Sequence, residues 1–168
     1  CRPLRRAVQA VNTAVVERRQ VAGHDVHSIA LAPFRVHRVA DIERVAWPVA
    51  ALFRDLTGAA LAAVARRAPG LIDEAEGRLD LAFNSYVVET PETLVLVDAG
   101  VGNDKERPDR PLWHRRSGRF LEALAALGFA PERFGLVINT HLHADHVGWN
   151  TVKTAEGWSP TFPNARYV

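Results

Sequence analysis

The chain opens with hydrophobic positions spaced as on one face of a helix. Over residues 3–20 these positions follow one another at intervals of four, three and four: Leu4, Val8, Val11 and Val15. Such a spacing predicts an amphipathic helix, and Gly23 stands where that helix would end. From Val26 to Val39 hydrophobic and polar residues alternate instead, which predicts a strand.

Two more helical regions are predicted further along the chain. An alanine-rich stretch begins at Pro48 and continues through Arg67, where a proline-glycine pair stops it shortly afterwards. A second helix extends through Leu127, with Ser117 as its predicted N-terminal cap and Gly128 directly after its end.

Three strands are predicted in the second half. Residues 79–89 and 93–97 read as two strands joined by a turn at residues 90–92. Residues 135–140 form a short apolar run that leads directly into a cluster of histidines. A strand that ends in a loop rich in potential ligands is how α/β folds build their sites, so the pattern predicts the α/β class.

Composition narrows the function classes. A length of 168 residues, 48% hydrophobic and 24% charged, fits one globular domain. The 21 basic residues barely exceed the 19 acidic ones, so no nucleic-acid surface is expected. No apolar run approaches the roughly 18 residues of a membrane span. Cys1 is the only cysteine, which excludes an intramolecular disulfide and a cysteine-built metal site. Without a signal peptide, we expect a cytoplasmic protein.

Three of the seven histidines lie within six positions of the sequence THLHADHVGWN. In an extended loop, side chains two apart fall on the same side, so His141 and His143 can bind one ion. Asp145 and His146 are better placed for a second ion, and two ions about 3.5–4 Å apart can share a hydroxide. Gly148 lets the backbone pass close to the site. The pattern therefore predicts a divalent-metal centre, with zinc as the expected ion.

These residues carry a family resemblance. THLHADHVGWN after an apolar strand resembles the His-x-His-x-Asp-His signature of the metallo-β-lactamase superfamily. LVLVDAGVGNDK resembles the strand ending in Asp-x-Gly that precedes this signature, and LEALAALGFAPERFGLVINTH resembles the helix and strand between them. WSPTFPNARYV is similar to the corresponding segment of N-acyl-homoserine-lactonase-like and organophosphate-hydrolase-like enzymes. The resemblance covers about residues 34–168.

The resemblance implies an α/β fold, the N-terminal half of an αββα four-layer sandwich. It makes His141 and His143 ligands of one zinc, and Asp145 and His146 ligands of another. Asp145 would also orient the bridging hydroxide or accept its proton, and Asp98 would support a ligand from outside the coordination sphere.

The family's remaining ligands have no counterpart, because residues 147–168 contain neither histidine nor aspartate. Residues 1–30 lie outside the resemblance, and we expect them to be an extension of uncertain origin. Residues 31–168 would be a metallo-β-lactamase-like domain truncated on its C-terminal side.

The expected function is that of a dinuclear zinc hydrolase in which a metal-bound hydroxide attacks a small lactone or ester. Its partner would be a small-molecule substrate, with no role for nucleic acid or membrane. A metal-dependent hydrolase with a barrel fold of the amidohydrolase type also starts from His-x-His, but it leaves Asp145 and His146 unexplained. A further alternative is a non-catalytic truncated remnant that binds metal weakly or associates with a partner.

Two other features allow a functional and a structural interpretation. Trp149 and Asn150 follow the metal motif and could line a substrate pocket or simply pack. Trp113 and His114 lie in an arginine-rich loop that either meets an anionic ligand or is solvated, and the solvated loop is the prediction.

Overall fold

The computed structural model describes residues 15–168. They form two compact units, of which the first comprises the described residues up to Asp41 together with Asn84–Val168, and the second is Ile42–Phe83. Residues 1–14, which hold most of the predicted first helix, lie outside the described residues. The boundary expected near residue 30 stays a prediction.

The main sheet has eight strands in the order β1-β2-β3-β5-β6-β7-β10, and β4 pairs with β5. Its members are β1 (Val16–Val21), β2 (His24–Leu31), β3 (Phe34–Pro48), β4 (Ile72–Asp73), β5 (Arg78–Glu89), β6 (Leu94–Val97), β7 (Phe134–Ile138) and β10 (Arg166–Tyr167). The pairs β6–β7 and β7–β10 are parallel. A separate antiparallel hairpin joins β8 (Thr151–Thr154) to β9 (Gly157–Pro160).

Three α-helices lie within the described residues: α1 (Val49–Leu52), α2 (Gly58–Arg67) and α3 (Phe120–Ala126). Short 3-10 turns cover Pro131–Arg133 and Gly148–Asn150. The mixture of a large sheet and few helices confirms the α/β class. None of the helices found in residues 15–168 is long and apolar enough to span a membrane.

The first helix prediction is wrong for residues 16–20. This segment is strand β1, which pairs along its whole length with β2. Ala22 and Gly23 both have positive φ, 51° and 85°, as the two-residue turn of a hairpin requires. Gly23 therefore belongs to a hairpin turn and does not end a helix. The alternation from Val26 to Val39 likewise covers two strands, because a turn separates β2 from β3.

The core of the first unit lies between the sheet and helix α3. On β6, Leu94 and Leu96 are buried while Val95 and Val97 are only partly so, which is the alternation of a sheet with one covered face. Helix α3 buries Phe120, Ala123 and Leu124 against this face. It begins after Arg119 with no side-chain cap, so the predicted capping role of Ser117 is wrong.

The second unit contains α1, α2 and β4, in agreement with the helical prediction for residues 48–67. Val49 and Leu79 are its buried hydrophobic residues among those described, and α2 has no buried residue. None of the predicted site residues lies in this unit.

Candidate metal centre

The metal motif and Asp98 lie at the same edge of the sheet. Asp98 directly follows β6, and the motif follows β7. Because these two strands are parallel, with Val97 opposite Ile138, their carboxyl ends meet. The Asp98 amide donates to the Ile138 carbonyl at 2.8 Å and continues the ladder by one bond. The sheet therefore brings together the residues that the sequence separates by more than forty positions.

Asp98 is held by the first residue of the motif loop. The Thr140 amide donates to Asp98 Oδ1 at 2.8 Å, and the Thr140 hydroxyl lies 3.0 Å from both carboxylate oxygens. Asp98 Oδ2 is also 2.8 Å from His146 Nδ1, although the ring is not aligned for a regular hydrogen bond. Burial raises the pKa of Asp98, but the contacts with Thr140 and His146 together outweigh it, and its pKa lies below its usual value.

Within the motif, His141 contacts both other histidines. His141 Nε2 lies 3.1 Å from His143 Nδ1, and the centroids of the His141 and His146 rings are 3.9 Å apart. His146 Nε2 lies 3.2 Å from Asp145 Oδ2. His141 and His143 are exposed, whereas Asp145 and His146 are half-buried. All four predicted ligands thus share one small volume beside Asp98.

The chemistry of these donors suits a zinc ion, because imidazole nitrogens and carboxylate oxygens are its usual ligands besides thiolate. The arrangement of these side chains, however, is not that of a complete metal site. Within residues 15–168, no three His, Cys, Asp or Glu side chains converge as a formed metal site. The His141 and His143 ring nitrogens that face each other are 3.1 Å apart, which suits two ligands of one zinc ion at the usual Zn–N distance of about 2.0–2.1 Å.

Two glycines allow the loops on either side of the centre to cross in direct backbone contact. A Cβ atom on Gly148 would lie 1.9 Å from the Val101 carbonyl oxygen, and one on Gly102 would lie 2.6 Å from the Gly148 carbonyl. Backbone hydrogen bonds join the loops at this crossing, from Ala99 N to His146 O, from Gly148 N to Gly100 O and from Trp149 N to Ala99 O. Neither position has room for a side chain, so the close approach predicted for Gly148 is confirmed.

Asp41 supports the same crossing and was missed by the sequence reasoning. Its fully buried carboxylate accepts hydrogen bonds from Val101 N at 2.7 Å and from Gly102 N at 3.1 Å. Arg116 Nη1 lies 3.2 Å from the same oxygen, Oδ2. The only sequence signal was an acidic residue at the end of an alternating strand, about 60 residues from its partners.

Arg107 is a second residue that the sequence reasoning missed. Its guanidinium donates to the Val101 carbonyl at 2.7 Å and to the Ala144 carbonyl at 2.9 Å. Burial lowers the pKa of Arg107, and the negative charges of Asp145 and Asp41 partly oppose that effect. Arginine stays charged at any physiological pH, so Arg107 places a permanent positive charge beside the motif.

The weaker sequence features are mostly structural. Trp149 is 2% exposed and its ring stacks 5.8 Å from that of Phe120, so it packs in the core. In the arginine-rich loop the charged groups largely contact neighbours within the first unit: Arg115 with Glu106, Arg116 with Asp41, and Arg119 with Glu122. Trp113 is buried beneath Arg110.

A model of the metallo-beta-lactamase superfamily matches residues 80–165, which is just over half of the chain and includes Asp98 and the whole motif. The chain belongs to the metallo-β-lactamase superfamily. No match was found among curated proteins.

Solved structures of this superfamily share the fold. The hydrolase AbOPH is 23% identical over 89% of this chain and 45% of its own, with a TM-score of 0.64. A probable metal-dependent hydrolase from Staphylococcus aureus is 18% identical over 80% of this chain and 46% of its own, with a TM-score of 0.60. AidC, a dizinc quorum-quenching lactonase, is 20% identical over 92% of this chain and 44% of its own, with a TM-score of 0.59. The chain thus spans about half the length of these structures.

Proposed function

We propose that the whole protein is a zinc-dependent hydrolase whose substrate is a small lactone or ester. The observation that carries the proposal is the proximity of His141, His143, Asp145 and His146 to one another and to Asp98 at the edge of β6 and β7. Family membership supports hydrolysis as the reaction, and the similarity to AidC, a lactonase, supports a lactone as the substrate.

In this proposal His141 and His143 hold one zinc ion, and Asp145 and His146 hold a second. Zinc supplies a Lewis acid that activates water and polarises the carbonyl group under attack. The Asp145 carboxylate, half-buried beside His146, accepts a proton from the attacking water. Asp98 binds the Thr140 amide and faces His146, so it fixes the start of the loop and the orientation of one ligand ring.

A second candidate is a metal-binding domain without catalysis. It is favoured by the absence, among the described residues, of three converging ligands. Both candidates predict zinc binding by the motif, and only the first predicts turnover.

The test uses the whole protein loaded with zinc. We expect hydrolysis of N-acyl-homoserine lactones or simple aryl esters that stops on addition of a chelator and returns with zinc. An Asp145→Asn variant should lose turnover, since the amide keeps the size of the side chain but neither accepts a proton nor offers a charged ligand. Zinc binding without any turnover would establish the second candidate, and no zinc binding would refute both.

A further inference from the structure

The metal motif contains a tight turn with one outward-facing carbonyl. The His146 amide donates to the His143 carbonyl at 3.0 Å, which closes a turn with Ala144 and Asp145 as its central residues. The Ala144 carbonyl takes no part in closing this turn. It accepts a hydrogen bond from Arg107 Nη2 at 2.9 Å, so a residue outside the motif fixes the turn's central peptide group.

The other arm of the Arg107 guanidinium is anchored on rigid backbone. Nη1 donates to the Val101 carbonyl at 2.7 Å, at the point where the loop after β6 crosses Gly148. A guanidinium is planar and presents its donors in a fixed fork, so both acceptors are held at one separation. Arg107 therefore ties the central peptide of the motif to the loop that carries Asp98.

The orientation of this peptide decides where two of the predicted ligands point. The common turn types differ mainly by a rotation of the peptide between their two central residues. Rotating the Ala144–Asp145 peptide would turn the Ala144 carbonyl away from Arg107 and change φ of Asp145. The Asp145 carboxylate would then move relative to the His143 ring, and the partly buried charged donor of Arg107 would lose its acceptor.

We propose that Arg107 is a positioning residue for the metal motif: it selects the orientation of the Ala144–Asp145 peptide and thereby the relative placement of His143 and Asp145. The effect on the turn is independent of any ion, whereas the effect on zinc rests on the proposed function. Arg107 touches neither metal nor substrate in this role.

A second cation of the same loop holds the chain beyond the motif. Lys105 Nζ donates to the Thr151 carbonyl at 2.9 Å and to its hydroxyl at 2.6 Å. One loop thus fixes the chain within the motif, at Ala144 through Arg107, and just after it, at Thr151 through Lys105. The carbonyl inside the motif itself depends on Arg107, which makes Arg107 the residue to test.

The first measurement is amide hydrogen exchange in the metal-free chain, comparing wild type with Arg107→Lys. Lysine keeps the positive charge but is a point donor that does not bridge both carbonyls. We expect the His146 amide, which closes the turn, to exchange roughly 10-fold faster in the variant, since a hydrogen bond to a charged group is lost. Arg115→Lys is the matched control, because Arg115 is exposed in the same loop and its guanidinium pairs with Glu106, away from the motif.

The second measurement is the visible absorption spectrum of bound Co²⁺, which reports the geometry of its ligands, together with zinc affinity by competition with a chelator. In Arg107→Lys we expect an altered cobalt spectrum and roughly 10-fold weaker zinc binding. The melting temperature should stay that of wild type. Arg115→Lys should leave the spectrum, the affinity and the exchange unchanged.

The possible outcomes separate this proposal from the proposed function. Wild-type exchange at His146 together with a wild-type cobalt spectrum in Arg107→Lys would overturn it. Faster exchange throughout the core, or unfolding, would make Arg107 a general stabilising residue and overturn it as well. If the wild-type chain binds neither cobalt nor zinc, the proposed function fails, while the exchange comparison still decides the role of Arg107 in the turn.

Discussion

Buried His37 and the exposed pair His141 and His143 are two groups of histidines that use their ring nitrogens differently. His37 is buried in the sheet, where its Nδ1 meets the Ser28 hydroxyl at 2.8 Å and its Nε2 meets a Glu89 carboxylate oxygen at 2.7 Å. His141 and His143 are exposed in the loop after β7, and the contact between their rings joins two nitrogens 3.1 Å apart.

This difference separates a structural histidine from a candidate ligand. Both nitrogens of His37 are committed to neighbours in the sheet, so the fold depends on the ring. In the loop, His141 Nδ1 lies 3.0 Å from the Thr140 hydroxyl, whereas His141 Nε2 and His143 Nδ1 face each other, so an ion can replace that second contact without breaking the fold. The group that a ring nitrogen contacts, and not the residue type, distinguishes a structural histidine from a candidate metal ligand.

The largest effect is expected when both exposed histidines of the loop, His141 and His143, are removed. Replacing His141 and His143 together by alanine should abolish zinc binding, because two imidazoles supply most of the affinity of this site. The free energy of unfolding should change by no more than about 0.5 kcal/mol, since both side chains are exposed. Elemental analysis measures the zinc content, and chemical denaturation measures the free energy of unfolding. Unchanged zinc content in the double variant would refute the ligand assignment.

The complementary test replaces the buried, structural histidine in the variant His37→Ala. It leaves the Ser28 hydroxyl and the Glu89 carboxylate without their partner and opens a cavity beside Phe129, whose ring centroid is 5.0 Å from that of His37. We expect a loss of about 3 kcal/mol in the free energy of unfolding, measured by denaturant titration, with zinc affinity unchanged. If His37→Ala is as stable as wild type but loses zinc, then the distinction between a structural His37 and the ligand pair His141 and His143 is wrong.

The smallest of the three effects should come from Asp98→Asn. The amide keeps the shape of the side chain but loses the charge that faces His146, so we expect zinc affinity to fall roughly 10- to 100-fold. Competition with a chelator measures this fall. Asp41→Asn is the matched comparison, since Asp41 holds the neighbouring loop without contacting a predicted ligand. Wild-type affinity in Asp98→Asn would leave Asp98 only its role in the backbone turn.

The part of the site that the sequence revealed is local. His141, His143, Asp145 and His146 fall within six positions after an apolar strand, and this spacing alone predicts a metal motif. The residues that hold the motif and its neighbouring loop in place lie far from their partners in the sequence. Asp41 lies 60 residues from the amide it binds, and Arg107 lies 37 residues from Ala144. An isolated aspartate or arginine carries no sign of such a contact, because only the folded sheet brings the partners together.

The fold was predictable where burial sets the pattern. Strands β5, β6 and β7 alternate or are continuously apolar because one or both of their faces are covered, and they were predicted within one or two residues. Strand β1 is exposed over residues 16–20 and gave no such pattern. The helical prediction reached this segment from the spacing of residues before it, Leu4, Val8, Val11 and Val15, whereas the segment itself pairs with β2.

The crossing of the two loops at Gly102 and Gly148 has a consequence for how this centre tolerates change. The crossing is held by three main-chain hydrogen bonds and by the absence of side chains at the two glycines. The path of the motif loop is therefore largely independent of which side chains it displays. A designer who wishes to install another set of ligands, or another metal, can change the side chains at residues 141, 143 and 145. Gly102 and Gly148, which offer no ligand themselves, cannot be replaced.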